Sequence, residues 1–368
     1  MDADNGNVLI ERGNALAGKG EVSSVAGSVL AGRKEALADK GSALAGRKEA
    51  LADEGRALAG RKEALADEGS ALADGGKALT RKAYAKINLG LDVVRRREDG
   101  YHEVKMVMQT VGLYDVLKFQ KAKEGIWVVT DREELPGDES NLVYKAAKLV
   151  SEAYGLQEGL WVELCKRIPM AAGMAGGSTD AAAVFHGMNE LFGLGMAEEQ
   201  MCGLAVKIGA DVPYCIQGGT VLAEGIGEKL TRLPDAPECF LLLAKPDLDV
   251  SSRHVYEHLH ADRLEAHPDI DGMCQAVKAG SLAGITERMG NVLETVTAKE
   301  YPVVGEIKEF MRRNGASNAL MSGSGPTVFG IYEEEAAAKK AMRLLEAEGL
   351  AKELFVTTFV NRAMVEQG

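Results

Sequence analysis

No apolar run in this 368-residue chain approaches the ~20 residues needed to cross a bilayer; the longest, such as Phe240 to Ala244, are far too short. Basic residues are also in deficit, with 43 Lys and Arg against 55 Asp and Glu and a net charge of -12. A broad basic face for nucleic acid is therefore not expected, although a local pocket on an acidic protein can still be positive enough for an anionic ligand. The five cysteines, Cys165, Cys202, Cys215, Cys239 and Cys274, form no C-x-x-C pair. That pattern suits buried thiols in a reducing compartment and supplies no disulfide or zinc framework. The start of the chain lacks a basic stretch followed by an apolar one, and its first eighty residues are rich in Asp and Glu. Neither a secretory signal nor a transit peptide is expected, so the reading is cytoplasmic. Missing too are the G-K-[ST] of a Walker A loop, the H-R-D and D-F-G of protein kinases and the H-E-x-x-H of zincins.

What is present begins with a repeat. Residues 31–72 hold three nearly identical 14-residue units, and leucine recurs every seven residues from Leu30 to Leu79. A coiled coil needs a second apolar position three or four residues after each leucine. Lys40, Gly41, Arg47, Lys48, Glu54 and Gly55 stand there instead. The two glycines of each unit cost a helix roughly 1 kcal/mol each. Residues 1–80 therefore read as a low-complexity arm, a marginal helix or disordered, without a catalytic role.

The remaining chain mixes strand and helix periodicities, and 46% hydrophobic residues suffice for a sizeable core. Ala85, Ile87, Leu89 and Leu91 alternate with Lys86, Asn88 and Asp92, predicting a strand with the lysine and the amide on one face. Glu98-Asp99-Gly100 predicts a turn into a second strand around 104–111. Ser140-Asn141 predicts a cap for a helix through Val143, Ala146, Ala147 and Val150. Further strands are predicted at 161–165, 240–244, 319–321, 327–332 and 355–360, with helices following residue 180 and over 333–348. The absence of regular βαβ order predicts an α+β fold in two lobes, with a ligand cleft between them.

Four segments carry candidate chemistry. Pro169 to Asp180 is rich in glycine and alanine and runs straight into a helix. It reads equally as a phosphate cradle, with Ser178 and Thr179 as caps or hydroxyl ligands, or as a tight strand-to-helix turn. Lys86 and Asn88 either enter a cleft or decorate an exposed strand. Asp211, among apolar neighbours, needs a partner or a function, or is a simple helix cap. Met321 to Phe329 is a second glycine-rich loop or an ordinary hairpin turn. His254, His258 and His260 are read as a helix face rather than a metal site, and Arg95-Arg96-Arg97 as a solvated tip.

In this order and spacing the segments resemble the GHMP small-molecule kinases, whose three motifs match residues 83–89, 169–180 and 321–329. The pieces that carry the resemblance are AKINLGL at 85–91, DGYHEV at 99–104, GGSTDAA at 176–182, GADVPY at 209–214 and MSGSGPTVF at 321–329. The resemblance implies the two-lobed α+β GHMP kinase fold: a ribosomal S5 domain 2-like N-terminal lobe over 81–238 and a ferredoxin-like C-terminal lobe over 239–368. It implies ATP as co-substrate, Mg2+, and Lys86 and Asp211 as the catalytic pair. It places the ATP phosphates on Pro169, Met170, Ala171, Ala172, Gly173, Met174, Ala175, Gly176, Gly177, Ser178 and Thr179, with Asn141 and Lys166 nearby. The segments come nearest to those members that phosphorylate the 2-hydroxyl of a cytidine-diphosphate-linked methylerythritol in non-mevalonate isoprenoid synthesis. On that match Asn88 contacts the methylerythritol end, while Tyr101, His102 and Tyr256 hold the cytosine. Mevalonate or homoserine as acceptor, or a non-catalytic sensor or scaffold, are the alternatives. No metal ligands are assigned, and a monomer or weak homodimer is expected. Ala171 and Ala175 depart from the family's glycines, and alanine reaches positive φ at a cost.

Overall fold

A computed structural model describes residues 78–362; the repeat-arm reading over 1–77 lies outside the described residues. The predicted alternation appears as β1 (Leu79–Arg96), which begins two residues inside the expected arm and pairs antiparallel with β2 (His102–Ala122). Ala85, Ile87 and Leu89 are fully buried, as their spacing requires. Between β1 and β2 the Asp99 carboxylate accepts the backbone N–H of Tyr101 at 3.1 Å and the Arg97 guanidinium, which closes the turn. The ladder shifts register between Tyr84 and Lys86 and again between Asn88 and Gly90. Such irregularities re-aim side chains at a functional edge.

Five further strands complete the first sheet. β3 (Ile126–Thr130) pairs parallel with β4 (Gly159–Cys165), and β4 with β2. On β2 also sits β5 (Thr220–Gly225), followed by β6 (Lys229–Arg232). Four helices belong to this half: α1 (Leu142–Tyr154), α2 (Gly176–Leu191), α3 (Glu198–Ala205) and α4 (Val212–Gln217). Asn141 caps α1, its Oδ1 accepting the Val143 N–H at 2.9 Å. Val143, Ala146, Ala147 and Val150 of α1 and Ala181, Val184, Phe185 and Met188 of α2 pack on Leu117, Phe119, Val162 and Leu164 of the sheet.

Beyond Arg232 the chain builds a second, wholly antiparallel sheet. It comprises β7 (Phe240–Lys245), β9 (Asn318–Met321), β10 (Val328–Tyr332) and β11 (Glu353–Thr358), in the order β11-β7-β10-β9. The run Phe240 to Ala244 is continuous rather than alternating because both faces of this sheet are covered. Leu242, Ala244, Val328 and Tyr332 share one core with Val304, Ile307 and Met311 of α9 (Val303–Arg313) and with Ala338, Ala341 and Leu345 of α10 (Glu335–Glu348). Leu241, Leu243, Phe329 and Ile331 share another with Ala85, Ile87 and Leu89 and with α6 (Ile270–Lys278). Full burial of each such leucine contributes roughly 1.5–3 kcal/mol. The last strand lies two residues earlier than the expected 355–360, because Phe359 leaves β11 to bridge Val111 of the first sheet. Three short helices, α5 (Ser252–His258), α7 (Leu282–Glu287) and α8 (Glu294–Glu300), line the connections. A two-residue strand, β8 (Gly290–Asn291), joins the first sheet beside β1.

Candidate active site

A cavity of about 1000 Å³ is lined by Lys86, Asn88, His102, Asp211, Tyr256 and nearly all of residues 169–180. The phosphate-loop candidate is a tight turn and a cradle at once. Ala171 takes φ 48, Gly173 φ 73 and Ala175 φ 57, so the two alanines adopt the left-handed conformation that glycine favours. Ala175 is the N-cap of α2 and makes no side-chain cap, leaving the first amides of the helix for a ligand. The expected capping by Ser178 and Thr179 does not occur. Ser178 lines the cavity, whereas the buried Thr179 hydroxyl donates to the Tyr84 carbonyl at 2.7 Å and faces away from that space. The Thr179 hydroxyl thus ties α2 to β1.

The second glycine-rich loop presses against the first. It is a hairpin connection from β9 to β10, and the Ser322 hydroxyl donates to the Gly173 carbonyl at 3.0 Å. The Asn291 amide holds the loop from the other side through the carbonyls of Met321 and Gly323, at 2.9 and 2.8 Å.

Lys86 and Asn88 are buried within the cavity rather than displayed on an open strand. Lys86 Nζ donates to Asn88 Oδ1 at 2.9 Å and lies 3.5 Å from Asp211 Oδ2. The backbone N–H of Lys86 also donates to the Met174 carbonyl at 3.2 Å, which fixes the strand to the phosphate loop. Asp211 N-caps α4 through its backbone alone. Its side chain makes no cap, so the carboxylate remains available to a ligand.

At the other end of the cavity the His102 and Tyr256 rings lie 5.3 Å apart at a tilt of 38°. Among the described residues His102 Nε2 has no hydrogen-bond partner. Burial, with the Arg96 charge adding to it, holds the His102 pKa below its ordinary value. Tyr101 beside it is 61% exposed and lines the rim. The basic triplet is a solvated tip, with Arg95 and Arg96 exposed and Arg97 half-buried; Arg96 also lines the cavity, while Arg95 and Arg97 pair with Glu103 and Asp99.

Sequence reasoning missed a buried charge cluster beneath the loop. Lys166 Nζ pairs with Asp115 and, at 2.7 Å, with Asp180 Oδ2. All three side chains are nearly inaccessible. Burial opposes the Lys166 charge, but the two carboxylates outweigh it and hold its pKa above the ordinary value. Burial likewise pushes the Asp180 carboxyl up, against the pull of Lys166. An aspartate inside the apolar strand segment Leu113 to Phe119 was the signal that could have exposed Asp115. Asn141 also lines the cavity, its side chain already committed to the α1 cap and to the Pro136 carbonyl.

Two of the three histidines behave as expected for a helix face: the His254 and His258 rings lie 4.0 Å apart on α5, and His254 Nε2 meets Glu300 at 3.0 Å. His260 lies beyond the end of α5. Among the described residues no group of three or more metal-capable side chains gathers, and no helix is long and apolar enough to cross a membrane.

Comparison with known proteins matches residues 141–219 to the GHMP kinases N terminal domain and residues 273–349 to the GHMP kinases C terminal domain. A protein of Lachnospira eligens named 4-diphosphocytidyl-2-C-methyl-D-erythritol kinase is 53% identical over 277 residues, 75% of this chain and 96% of its own. One of the same name from Caldicellulosiruptor saccharolyticus is 48% identical over 278 residues, 75% of this chain and 95% of its own. A crystal structure titled 4-(cytidine 5'-diphospho)-2C-methyl-D-erythritol kinase superposes with a TM-score of 0.67 at 32% identity, covering 76% of this chain and 99% of its own. A homoserine kinase from Cytophaga hutchinsonii gives 0.65 at 18% identity over 80% of this chain and 98% of its own, a likeness of fold alone.

Proposed function

The chain belongs to the GHMP kinases, and from that premise we propose that it transfers the γ-phosphoryl group of ATP to the 2-hydroxyl of 4-(cytidine 5'-diphospho)-2-C-methyl-D-erythritol. The observation that carries this reading is one cavity holding an anion-cradling loop, the Lys86–Asp211 pair and the His102–Tyr256 rings. Asp211 takes the proton of the acceptor hydroxyl. Lys86, 3.5 Å away, orients that carboxylate and stabilises charge on the phosphoryl group in flight. Phosphoryl transfer depends mostly on such positioning and electrostatics. Asn88, locked to Lys86 Nζ, faces the methylerythritol end.

The backbone of Ala171 to Ser178 cradles the ATP phosphates with the free amides of the α2 N-terminus. Magnesium entering with the nucleotide would supply charge neutralisation to its phosphates. His102 Nε2, unpartnered in its half-buried setting, reads the cytosine edge while Tyr256 and Tyr101 cover its face. Mevalonate or homoserine would leave this end of the cavity without a purpose. The free cysteines fit a reducing cytoplasm, where the enzyme acts as a monomer or weak homodimer. We put the lobe division near residue 238, a reading supported by the change of sheet between Arg232 and Phe240.

The test is ADP release from magnesium ATP with the cytidine-linked acceptor, in wild type and Asp211→Asn. Loss of at least about a thousandfold in kcat with nucleotide binding retained supports the base assignment. Wild-type turnover on mevalonate or homoserine, with none on the cytidine compound, would overturn the acceptor and keep the family.

A further inference from the structure

Asp180 sits on the first turns of α2, directly after the phosphate loop, with its side chain 2% exposed. It lines the same cavity as Gly176, Gly177 and Ser178. Its two oxygens are treated differently. Oδ2 accepts Lys166 Nζ at 2.7 Å, while Oδ1 has no hydrogen-bond partner among the described residues. A buried carboxylate oxygen without a partner is strongly unfavourable and calls for an explanation.

The charges around it point the same way. Asp115 and Asp180 bring two carboxylates to the single positive charge of Lys166, and burial together with the neighbouring Asp115 pushes the Asp180 carboxyl up, so a further cation is what would favour its ionised form. Asp115 is already satisfied. Its Oδ2 is held by Lys166 and its Oδ1 by the backbone N–H groups of Arg167 and Ile168, the latter at 2.8 Å. The oxygen left without a partner is therefore Asp180 Oδ1, on a residue that lines the cavity where phosphates are cradled.

Phosphates bring more negative charge to that wall, which would be unfavourable unless a cation came with them. Magnesium takes hard oxygen ligands, keeps several waters, and is commonly held by one or two carboxylates together with substrate phosphates. Among the described residues no cluster of three or more ligating side chains exists to hold it alone. We propose that Asp180 is the protein's ligand for the divalent cation of the nucleotide, binding it through Oδ1 while Lys166 fixes Oδ2. The assignment rests on the kinase reading of the cavity. Asp115 is a positioning residue that holds Lys166 and touches neither metal nor nucleotide.

Mn2+ is the probe, titrated by water-proton relaxation into the full-length protein with ADP present and no acceptor. Asp180→Asn is expected to weaken Mn2+ binding in this ternary complex by about 10- to 100-fold, with ADP affinity in EDTA unchanged. Asp115→Asn removes the same charge from the same lysine and is expected to change Mn2+ binding by less than about threefold, as a residue acting only by position. Wild-type Mn2+ affinity in Asp180→Asn overturns the proposal. Equal losses in both variants also overturn it, because they would reveal a general field or a brace rather than a ligand. Should Asp180→Asn fail to fold, wild-type protein carrying 13C-labelled aspartate is read by electron–nuclear double resonance. A strong carboxylate-carbon coupling to Mn2+ supports coordination, and its absence overturns it. A wrong acceptor leaves these titrations unchanged, and their failure leaves the acceptor assignment standing.

Discussion

Two alanines in the phosphate loop, Ala171 at φ 48 and Ala175 at φ 57, hold a conformation that a Cβ disfavours by about 1–2 kcal/mol. Replacing either by glycine removes that strain but gives the unfolded chain more freedom, worth about 0.4–1 kcal/mol. Ala171→Gly and Ala175→Gly are expected to leave stability equal or raised by up to about 1 kcal/mol, read from urea midpoints. A clear loss of stability would mean that the methyl groups pack productively. The His102 pKa is depressed mainly by burial, and a stacked ligand buries the ring further. Acid should therefore weaken the binding of CDP as pH falls through the depressed His102 pKa of the free protein, and His102→Gln should flatten that profile. The sign for folding is the same. Between the depressed folded pKa and the unfolded one the unfolded chain binds more protons, so stability declines as pH drops through that window. A pH profile of CDP affinity that His102→Gln leaves unchanged would remove His102 from the cytosine site. At this scale the sequence exposed Lys86 and Asp211 because their neighbours form dense local motifs. The partners of Lys166 stayed hidden, since Asp115 lies 51 residues away along the chain and no local period links them. Arg96 is as exposed as Arg95, and nothing local in the sequence marks it as a cavity residue.

Between elements, the decisive contact is the one joining the two glycine-rich loops. A Cβ on Gly173 would stand 2.2 Å from the Ser322 carbonyl oxygen, at a residue that also needs φ 73. Backbone rather than a flexible side chain blocks it, so neither loop can yield without moving the other. Gly173→Ala is expected to cost at least about 2 kcal/mol in thermal or urea unfolding and to weaken ATP binding by tenfold or more. Gly100→Ala is the control. That glycine has φ 87 but open space around its Cβ position, and only the backbone penalty of about 1–2 kcal/mol applies. If both variants lost the same stability, the interlock would contribute nothing. Elements with a long, clear period were legible in advance: α1 and α10 each bury one face at the spacing the sequence displays, whereas β1, alternating in sequence, buries both faces over residues 85–93. The short α4, α5 and α7, of six or seven residues, carry too few positions to display a period. They form because tertiary packing holds them, helped in α5 and α7 by the Ser251 and Ser281 caps.

At the scale of the whole molecule, the cavity gathers residues from Lys86 to Ser324, spanning nearly the entire described chain. The relatives that share this span match it over 95–96% of their own length while covering 75% of this chain, so the repeat lies outside what they have in common. The repeat was legible as a unit of composition and spacing, but its leucines lack the second apolar position of a coiled coil, and no motif of the site falls within it. Catalysis drawn wholly from residues 86–324 should not need the first 77 residues. Their deletion is expected to leave kcat/KM for the cytidine-linked acceptor within about twofold, or roughly 0.4 kcal/mol of transition-state energy. Sedimentation mass per chain should fall only by the residues removed. A tenfold loss of kcat/KM with an unchanged unfolding midpoint would give the arm a part in the reaction itself. A change from dimer to monomer at constant turnover would instead make it an assembly element beside a kinase that is already complete.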